Sequence, residues 1–478
     1  DHYMPSLRMK IDLNVSYTTA RSNSPDYRQL MHLSDSTRLY WEKIENGNFR
    51  IFRDLSEDLF DSHIIAEIPL GDNLSLPRKI KFGGTYQRLV RKSDQRYYYL
   101  PAPSIDDDVI NKDFAEFLSI ESFGTLEDDW NLKRYYHQLA SDEHNTIGFS
   151  TTLAGFLLAE YTVIPALRLS GGIRVESIQM HTDIEYFYER QLPIDDDRRN
   201  IFDMAKPPIK PGIRNDLFFL PSANIIWRLK QGNEDPVNIR LNYGQTMAIP
   251  SLREITPYEI YDYSLMGNVN GSVELKPVNI DNFDLRFEKY FKSGDNISAS
   301  LFYKHFENHI EMVRTLKVNQ VNYSWQNTQN SSVYGIEIEG RVEMIKNLEF
   351  RANATLVESK TTLNSDTISR AMFGQAPYIF NAFLSYFSEK IGMEASAGYN
   401  IQGPKLVITG LYSNEPNIYE LPRNVVDVKL SKKVGKHFTA SLRIRDLLNN
   451  PIRRSYKFSA GWVDFDRYSY GTSYILAI

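Results

Sequence analysis

Alternation of oily and polar side chains with a period of two restricts this chain more than any other feature. Val237, Ile239, Leu241 and Tyr243 are separated by Asn238, Arg240 and Asn242, and Phe283, Leu285 and Phe287 by Asp284 and Arg286. Ile297, Ala299, Leu301 and Tyr303 follow at the same spacing. A period of two describes a strand with one apolar and one wettable face. Lys292-Ser-Gly-Asp-Asn296 turns the chain sharply between the second and third runs, whereas a long excursion containing Pro, Tyr and Gly separates the first from the second. The repeating unit is therefore a hairpin with a short turn at one end and a long loop at the other.

The unit recurs along the whole chain. Its cleanest copy sets Leu7, Met9, Ile11, Leu13, Val15 and Tyr17 against Arg8, Lys10, Asp12, Asn14 and Ser16. Six apolar positions on one face cross a bilayer when the strand is tilted. Strands are expected at 7–17, 62–70, 79–91, 146–164, 167–187, 217–229, 237–248, 283–291, 297–313, 333–344, 348–360, 378–387, 393–402, 425–434, 438–447 and 468–478, about sixteen in all. Short connections such as 345–347 and 435–437 alternate with long ones such as 251–282, 314–332 and 404–424, and the insertion 92–145 is expected to carry a short helix near 111–118. Long loops confined to one end are the mark of an all-β, antiparallel, up-and-down transmembrane β-barrel; a sandwich or propeller has no reason to keep them there.

Composition enters mainly by exclusion. No run of eighteen apolar residues exists and the mean hydropathy is −0.41, which excludes helical membrane spans and leaves a barrel open. The 30 Tyr and 26 Phe suit rings placed at two membrane interfaces. No linker divides the 478 residues, so 1–478 is expected to be one unit. A net charge of −5 without a basic stripe argues against nucleic acid as a partner, and the lack of cysteine removes disulfides, thiol catalysis and Cys-bound zinc. There is no H-E-x-x-H, G-x-S-x-G or P-loop, so neither enzyme chemistry nor a cofactor is expected. The opening Asp1-His-Tyr-Met4 lacks a charged n-region and an apolar h-region, so any export signal is expected to have been removed or to lie upstream.

Several short motifs carry a family resemblance. They are Gly171-Gly-Ile-Arg-Val-Glu176, Leu220-Pro-Ser-Ala-Asn224, Leu241-Asn-Tyr-Gly244, Ile249-Pro-Ser-Leu-Arg-Glu-Ile255, Gly267-Asn268, Leu275-Lys-Pro277, Asn282-Phe-Asp-Leu-Arg-Phe-Glu288, Tyr334-Gly-Ile-Glu-Ile-Glu-Gly340 and Arg445-Asp-Leu-Leu-Asn-Asn-Pro451. In order and spacing they resemble the barrel of TonB-dependent outer-membrane receptors, especially those of Bacteroidetes. The resemblance covers nearly the whole chain. It implies a 22-stranded barrel closed by an N-terminal plug. This chain has no plug-like segment, so it reads as the last sixteen strands of such a barrel. The plug, its TonB-contacting segment and roughly six earlier strands would then come from elsewhere. Where relatives usually end on an aromatic residue, this chain ends on Ile478. The resemblance implies capture of a scarce small nutrient by plug and loops and TonB-driven import across the outer membrane of a Gram-negative bacterium. A surface lipoprotein is a possible further partner.

Candidate functional residues fall into two groups. Glu337, Glu339, Arg341 and Glu343, with Arg443 and Arg445, are expected to face a wet lumen, while Leu7, Ile11, Leu169, Ile173, Ile338 and Leu442 face lipid. On the loops, Arg253, Tyr258, Tyr261 and Tyr263, the run Tyr97-Tyr98-Tyr99, and Trp462 are candidates for stacking on a polar ligand or hydrogen-bonding it. The competing reading, interfacial girdle or loop packing, is the commoner use of such rings in barrels. Asp106-Asp-Asp108 and Asp195-Asp-Asp197 offer oxygen ligands for Ca²⁺, but they lack the glycine-punctuated spacing of calcium loops and read instead as solvated loop acids, so no metal is expected. Two other functions stand beside the receptor: a passive porin closed at sixteen strands, and an adhesion barrel whose loops hold a partner protein.

Overall fold

A computed structural model describes residues 2–29, 32–34, 39–41, 49–71, 76–99, 137–138, 144–186, 210–229, 235–262, 265, 267–317, 320–362, 369–410, 416–435 and 437–477. The long strands in chain order begin with β1 (Met9–Gln29), β2 (Phe49–Pro69), β3 (Arg78–Tyr99), β4 (His144–Ile164), β5 (Leu167–Tyr186), β6 (Gly212–Arg228), β7 (Val237–Ala248) and β8 (Val278–Tyr290). They continue with β9 (Asn296–Glu307), β10 (Asn330–Ile345), β11 (Leu348–Thr362), β12 (Tyr378–Ser388), β13 (Met393–Gln402), β14 (Asn424–Val434), β15 (Phe438–Arg445) and β16 (Ser473–Ala477). Each pairs antiparallel with the next in sequence.

Among the described residues no pairing joins β16 to β1, so the sheet has two free edges and does not close into a barrel. The short strand His2–Met4 turns through residues 5–8 and covers only the first three residues of the β1 edge. The expected helix at 111–118 lies outside the described residues.

Register turns the alternation into two continuous faces. Leu241, Leu285, Leu301, Ile336, Leu356 and Tyr378 are direct neighbours across six strands. The first five are all exposed. One residue along, Arg240, Arg286, Ser300, Glu337 and Thr355 form the matching polar row. A water-soluble sheet would bury the first row, and an unburied apolar band over neighbouring strands is the face that lipid wets. Leu7, Ile173 and Ile338 are exposed, Ile11, Leu169 and Leu442 are half-buried, and none belongs to a core cluster.

The long connections all leave the same end. Four of them fold into a second sheet of eight short strands: Glu259–Asp262 and Gly267–Asn270, Ile310–Lys317 and Gln320–Asn327, Lys405–Gly410 and Ile418–Glu420, Ile452–Phe458 and Gly461–Tyr468. The hairpins are joined by parallel pairing of Gly267–Asn270 with Gln320–Asn327 and of Ile310–Lys317 with Lys405–Gly410, and by antiparallel pairing of Ile418–Glu420 with Ile452–Phe458. Two expected strands are corrected here. The run 297–313 breaks at Asn308, which takes a positive φ of 60°, and the run 468–478 divides at Gly471, with φ 81°. In each case one part belongs to the main sheet and the other to the loop sheet.

Candidate binding surface: a paired polar wall under folded loops

The polar face of the sheet carries charge in interleaved ladders. Arg240 Nε donates to Glu288 at 2.9 Å, and Arg286 donates to the same carboxylate at 2.9 Å and pairs with Glu339 across β9. Ser298 Oγ donates to Glu339 at 2.8 Å, and Arg286 also reaches Ser300 at 3.1 Å. On the next strands Glu349 accepts from Arg341 at 2.7 Å and pairs with Arg351. On the far side Lys79 and Lys81 approach Glu67 at 3.1 and 3.2 Å, and Arg168 pairs with Glu160. Several carboxylates thus sit between two cations. Strand pairing sets this spacing, because directly opposed and diagonal residues share a face. Such a wall is wettable yet carries little unpaired charge.

Above it, the loop after β7 folds down onto the wall. Helix α1 (Leu252–Ile255) starts in a capping box, with Ser251 Oγ accepting from Glu254 N–H at 3.3 Å and Glu254 Oε2 accepting from Ser251 N–H at 2.7 Å. Leu252 and Ile255 pack with Ile178 and Met180 of β5, Phe218 of β6 and Leu275. These wall residues share the polar face with Glu176, so the face turns apolar only where the loop covers it. Gly212 permits the approach: a Cβ there would lie 2.5 Å from the Ile255 carbonyl oxygen.

The loop sheet has its own buried polar groups. Glu311 is fully buried and pairs with Arg370 from the loop after β11. Arg314 donates to Tyr456 Oη at 2.9 Å, and Arg454 donates to Asp466 at 2.9 Å. Burial, with the Arg370 charge nearby, lowers the His309 imidazole to about 4, so it is neutral at pH 7. Burial pushes the Tyr323 phenol up to about 12, and its hydroxyl donates to the Leu265 carbonyl at 2.9 Å. These cross-links hold the hairpins together as one folded body.

The sequence candidates are distributed unevenly over this framework. Glu337, Glu339, Arg341 and Glu343 share the polar face of β10, and Glu339 and Arg341 are members of its ladders. Arg443 and Arg445 are exposed on the same face of β15, Arg443 opposite Lys429 and Arg445 opposite Ser473. Arg253 and Tyr258 are brought together inside the loop, where they hold it to its neighbour. The Arg253 guanidinium lies 4.7 Å from the Tyr258 ring centroid and 5.4 Å from that of Trp325, and it donates to the Val269 carbonyl at 2.8 Å. Tyr258 is only 5% exposed. Tyr98 packs edge-on against Phe52 at 5.7 Å.

Trp462 is exposed and stands edge-on to Tyr419 at 5.5 Å, with Lys457 Nζ 5.8 Å from each ring. Of the candidates it presents the clearest aromatic surface. Tyr97, Tyr99 and Tyr261 are described by backbone alone, and Tyr263, Asp106–Asp108 and Asp195–Asp197 lie outside the described residues. No cluster of three metal-ligating side chains occurs among the described residues. The buried Glu311–Arg370 pair was missed by sequence reasoning. Its one signal is a carboxylate inside an apolar run, Ile310-Glu-Met-Val313, which the alternation rule assigns to a wet face.

Among the described residues, long antiparallel strands with an exposed apolar band, a paired polar face and long loops at one end have the features of the wall of an outer-membrane β-barrel. Residues 9–447 match the family model described as TonB dependent receptor-like, beta-barrel, and the chain belongs to that family. Similar solved structures include the siderophore receptor PiuA from Acinetobacter baumannii, at a TM-score of 0.60 and 12% identity over 98% of this chain and 61% of that one. The ferric yersiniabactin uptake receptor FyuA from Yersinia pestis gives 0.56 and 12% over 95% and 56%. The ferric-catecholate import receptor Fiu from E. coli K12 gives 0.58 and 13% over 93% and 58%. The chain spans 56% to 61% of the length of these receptors. Comparison with curated proteins gives no match.

Proposed function

We propose that this chain forms the larger part of the barrel of a TonB-dependent receptor in the outer membrane of a Gram-negative bacterium, importing a scarce small nutrient. The observation that carries the reading is the open sheet itself. Lipid cannot satisfy backbone N–H and C=O groups, each of which costs several kcal/mol when left unpaired in hydrocarbon. Beyond the three residues covered by His2–Met4, the free edge of β1 and the outer edge of β16 have no partner among the described residues. Roughly six further strands would close such a wall at the size of the outer-membrane transporters, which carry a plug in the lumen. That plug is the route by which the TonB complex would act. A wall that stays wet and charge-paired suits a passage for polar solute, and loops zipped into one sheet suit a fixed capture surface.

Among the similar solved receptors, FyuA is an uptake receptor for ferric yersiniabactin, Fiu an import receptor for ferric catecholates and PiuA a siderophore receptor. A ferric chelate is accordingly the first ligand class to try, presented to Trp462 and the loop sheet. A surface lipoprotein remains a candidate partner at the loops. The test is uptake of radiolabelled ferric siderophores by cells carrying the intact receptor, with and without a dissipated proton-motive force. Energy-dependent uptake that disappears with the receptor supports the proposal. Conductance through the purified protein with no energy requirement supports a porin and overturns it.

A further inference from the structure

The apolar exterior departs from its pattern over β9 to β12. Register aligns Ile297, Gly340, Ala352 and Ala382 in one row, with Ala299, Ile338, Ala354 and Phe380 in the next. Leu, Phe and Ile fill much of this face, and a second small row lies at Ala159, Gly171 and Ala223; here the small residues leave a cleft of about 560 Å³. Gly340, Ala352 and Ala354 form its floor, and Ile297, Phe350 and Phe380 are among its walls. The volume falls in the range of small-ligand sites. The cleft runs to the short turn after β8, where Phe291 lines it.

A cation stands at that lip. Lys289 shares the outer face, directly opposite Ile297, and its Nζ lies 4.6 Å from the Phe291 ring centroid. No ion pair engages it among the described residues. The nearest acid of the turn, Asp295, is otherwise occupied: its carboxylate accepts from Ser293 Oγ at 2.6 Å and from the Glu343 N–H at 2.8 Å. Short turns of such barrels face the periplasm, so the cleft opens at the periplasmic leaflet with the amine at the level of the headgroups. An apolar slot whose lip at Phe291 stands beside the Lys289 amine at a membrane boundary matches an amphiphile with an anionic head.

We infer that this cleft is a binding site for one phospholipid of the outer membrane, its acyl chain on Gly340, Ala352 and Ala354 and its phosphate on Lys289. The inference rests on the reading that this face meets lipid. The sheet does not itself require glycine at 340, because an added Cβ would meet only the Asn296 carbonyl oxygen, at 3.8 Å. Gly335 on the polar face differs: a Cβ there would lie 2.4 Å from the Leu356 carbonyl oxygen. Position 340 can therefore be filled without disturbing strand pairing.

The experiment is native mass spectrometry of the receptor extracted from the outer membrane, delipidated in detergent and titrated with phosphatidylglycerol or phosphatidylcholine. The wild type is expected to retain one phosphatidylglycerol. Gly340→Leu, and separately Ala352→Leu, should weaken that binding at least tenfold, and Lys289→Gln should abolish the preference for the anionic lipid. Equal retention by wild type and both filled variants overturns the site. So does a dimer in the wild type that Gly340→Leu dissociates, since the occupant is then a second copy. Recovery in the outer-membrane fraction, measured on the same preparations, tests the membrane reading separately: its loss in the wild type refutes that reading and not the cleft chemistry alone.

Discussion

Replacing Leu285 by Arg tests which face of the sheet meets hydrocarbon. Leu285 is 44% exposed and lies between Leu241 and Leu301 on the neighbouring strands. It stands six residues above Phe291, where the short turn begins. At a rise of about 3.3 Å per residue and a tilt of about 40°, that places it roughly 15 Å above the turn, near the middle of an apolar band about 25 Å tall. Arginine at that depth costs about 2–4 kcal/mol, or a roughly thirty- to thousandfold shift in the folding equilibrium. Thr85→Lys is the matched control, because Thr85 lies on the polar face opposite His63 and Ala154. A charge there stays in water and should change stability by no more than about 0.5 kcal/mol. Both variants of the closed receptor would be refolded into lipid vesicles and titrated with denaturant. Equal destabilisation by the two, or a larger effect of Thr85→Lys, would refute the assignment of faces.

Three further outcomes concern the loops. His309 has a folded pKa of about 4 against an unfolded value near 6.5. The unfolded form takes up the proton first, so the loop sheet loses stability as pH falls from about 6.5 to 4, by an order of 3 kcal/mol in full. Protection of the Gln320–Asn327 amides, taken as exchange relative to the intrinsic chemical rate at each pH, should fall over that window in the wild type and stay level in His309→Asn. Arg370→Ala strands the Glu311 carboxylate in a fully buried site and should destabilise the loop sheet by about 3–5 kcal/mol, whereas Arg370→Met combined with Glu311→Leu should be far milder; proteolysis of the loops against denaturant separates the two. Arg253→Ala removes a charged hydrogen bond and two ring contacts, so the contact between its loop and Trp325 should weaken by about 2–3 kcal/mol, seen as faster exchange at 252–258.

The sequence displayed the main sheet wherever lipid forces one face to be oily. That signal stops where both faces meet water. β1 was expected to end at Tyr17 yet continues to Gln29, and β2 was expected only from Ser62 yet begins at Phe49, because these upper halves need no apolar face. The loop sheet was hidden for a related reason. Its strands are short, several of its residues are buried on both faces, and its parallel joints pair segments far apart in sequence, so neither periodicity nor hairpin signals mark it. Among candidate residues, Glu339 and Arg341 were legible through their place in the alternation. Arg253 and Tyr258 were conspicuous by residue type, but type does not reveal that they bury each other. Openness of the sheet was not legible in the periodicity, since a free edge strand and a closing one share the same pattern; it followed only from the resemblance to a 22-stranded barrel.

The most direct measurement uses the lack of native cysteine, which makes any introduced thiol unique. Single cysteines at Tyr334, Ile336, Glu337, Ile338, Glu339 and Arg341 of β10 would carry spin labels in the membrane-inserted receptor, read for collision with oxygen from the bilayer and with a water-soluble nickel complex. Labels at 334, 336 and 338 are predicted to favour oxygen and those at 337, 339 and 341 to favour nickel, in strict alternation. Uniform accessibility along the strand, or the opposite phase, would contradict a wall with lipid on one side and water on the other.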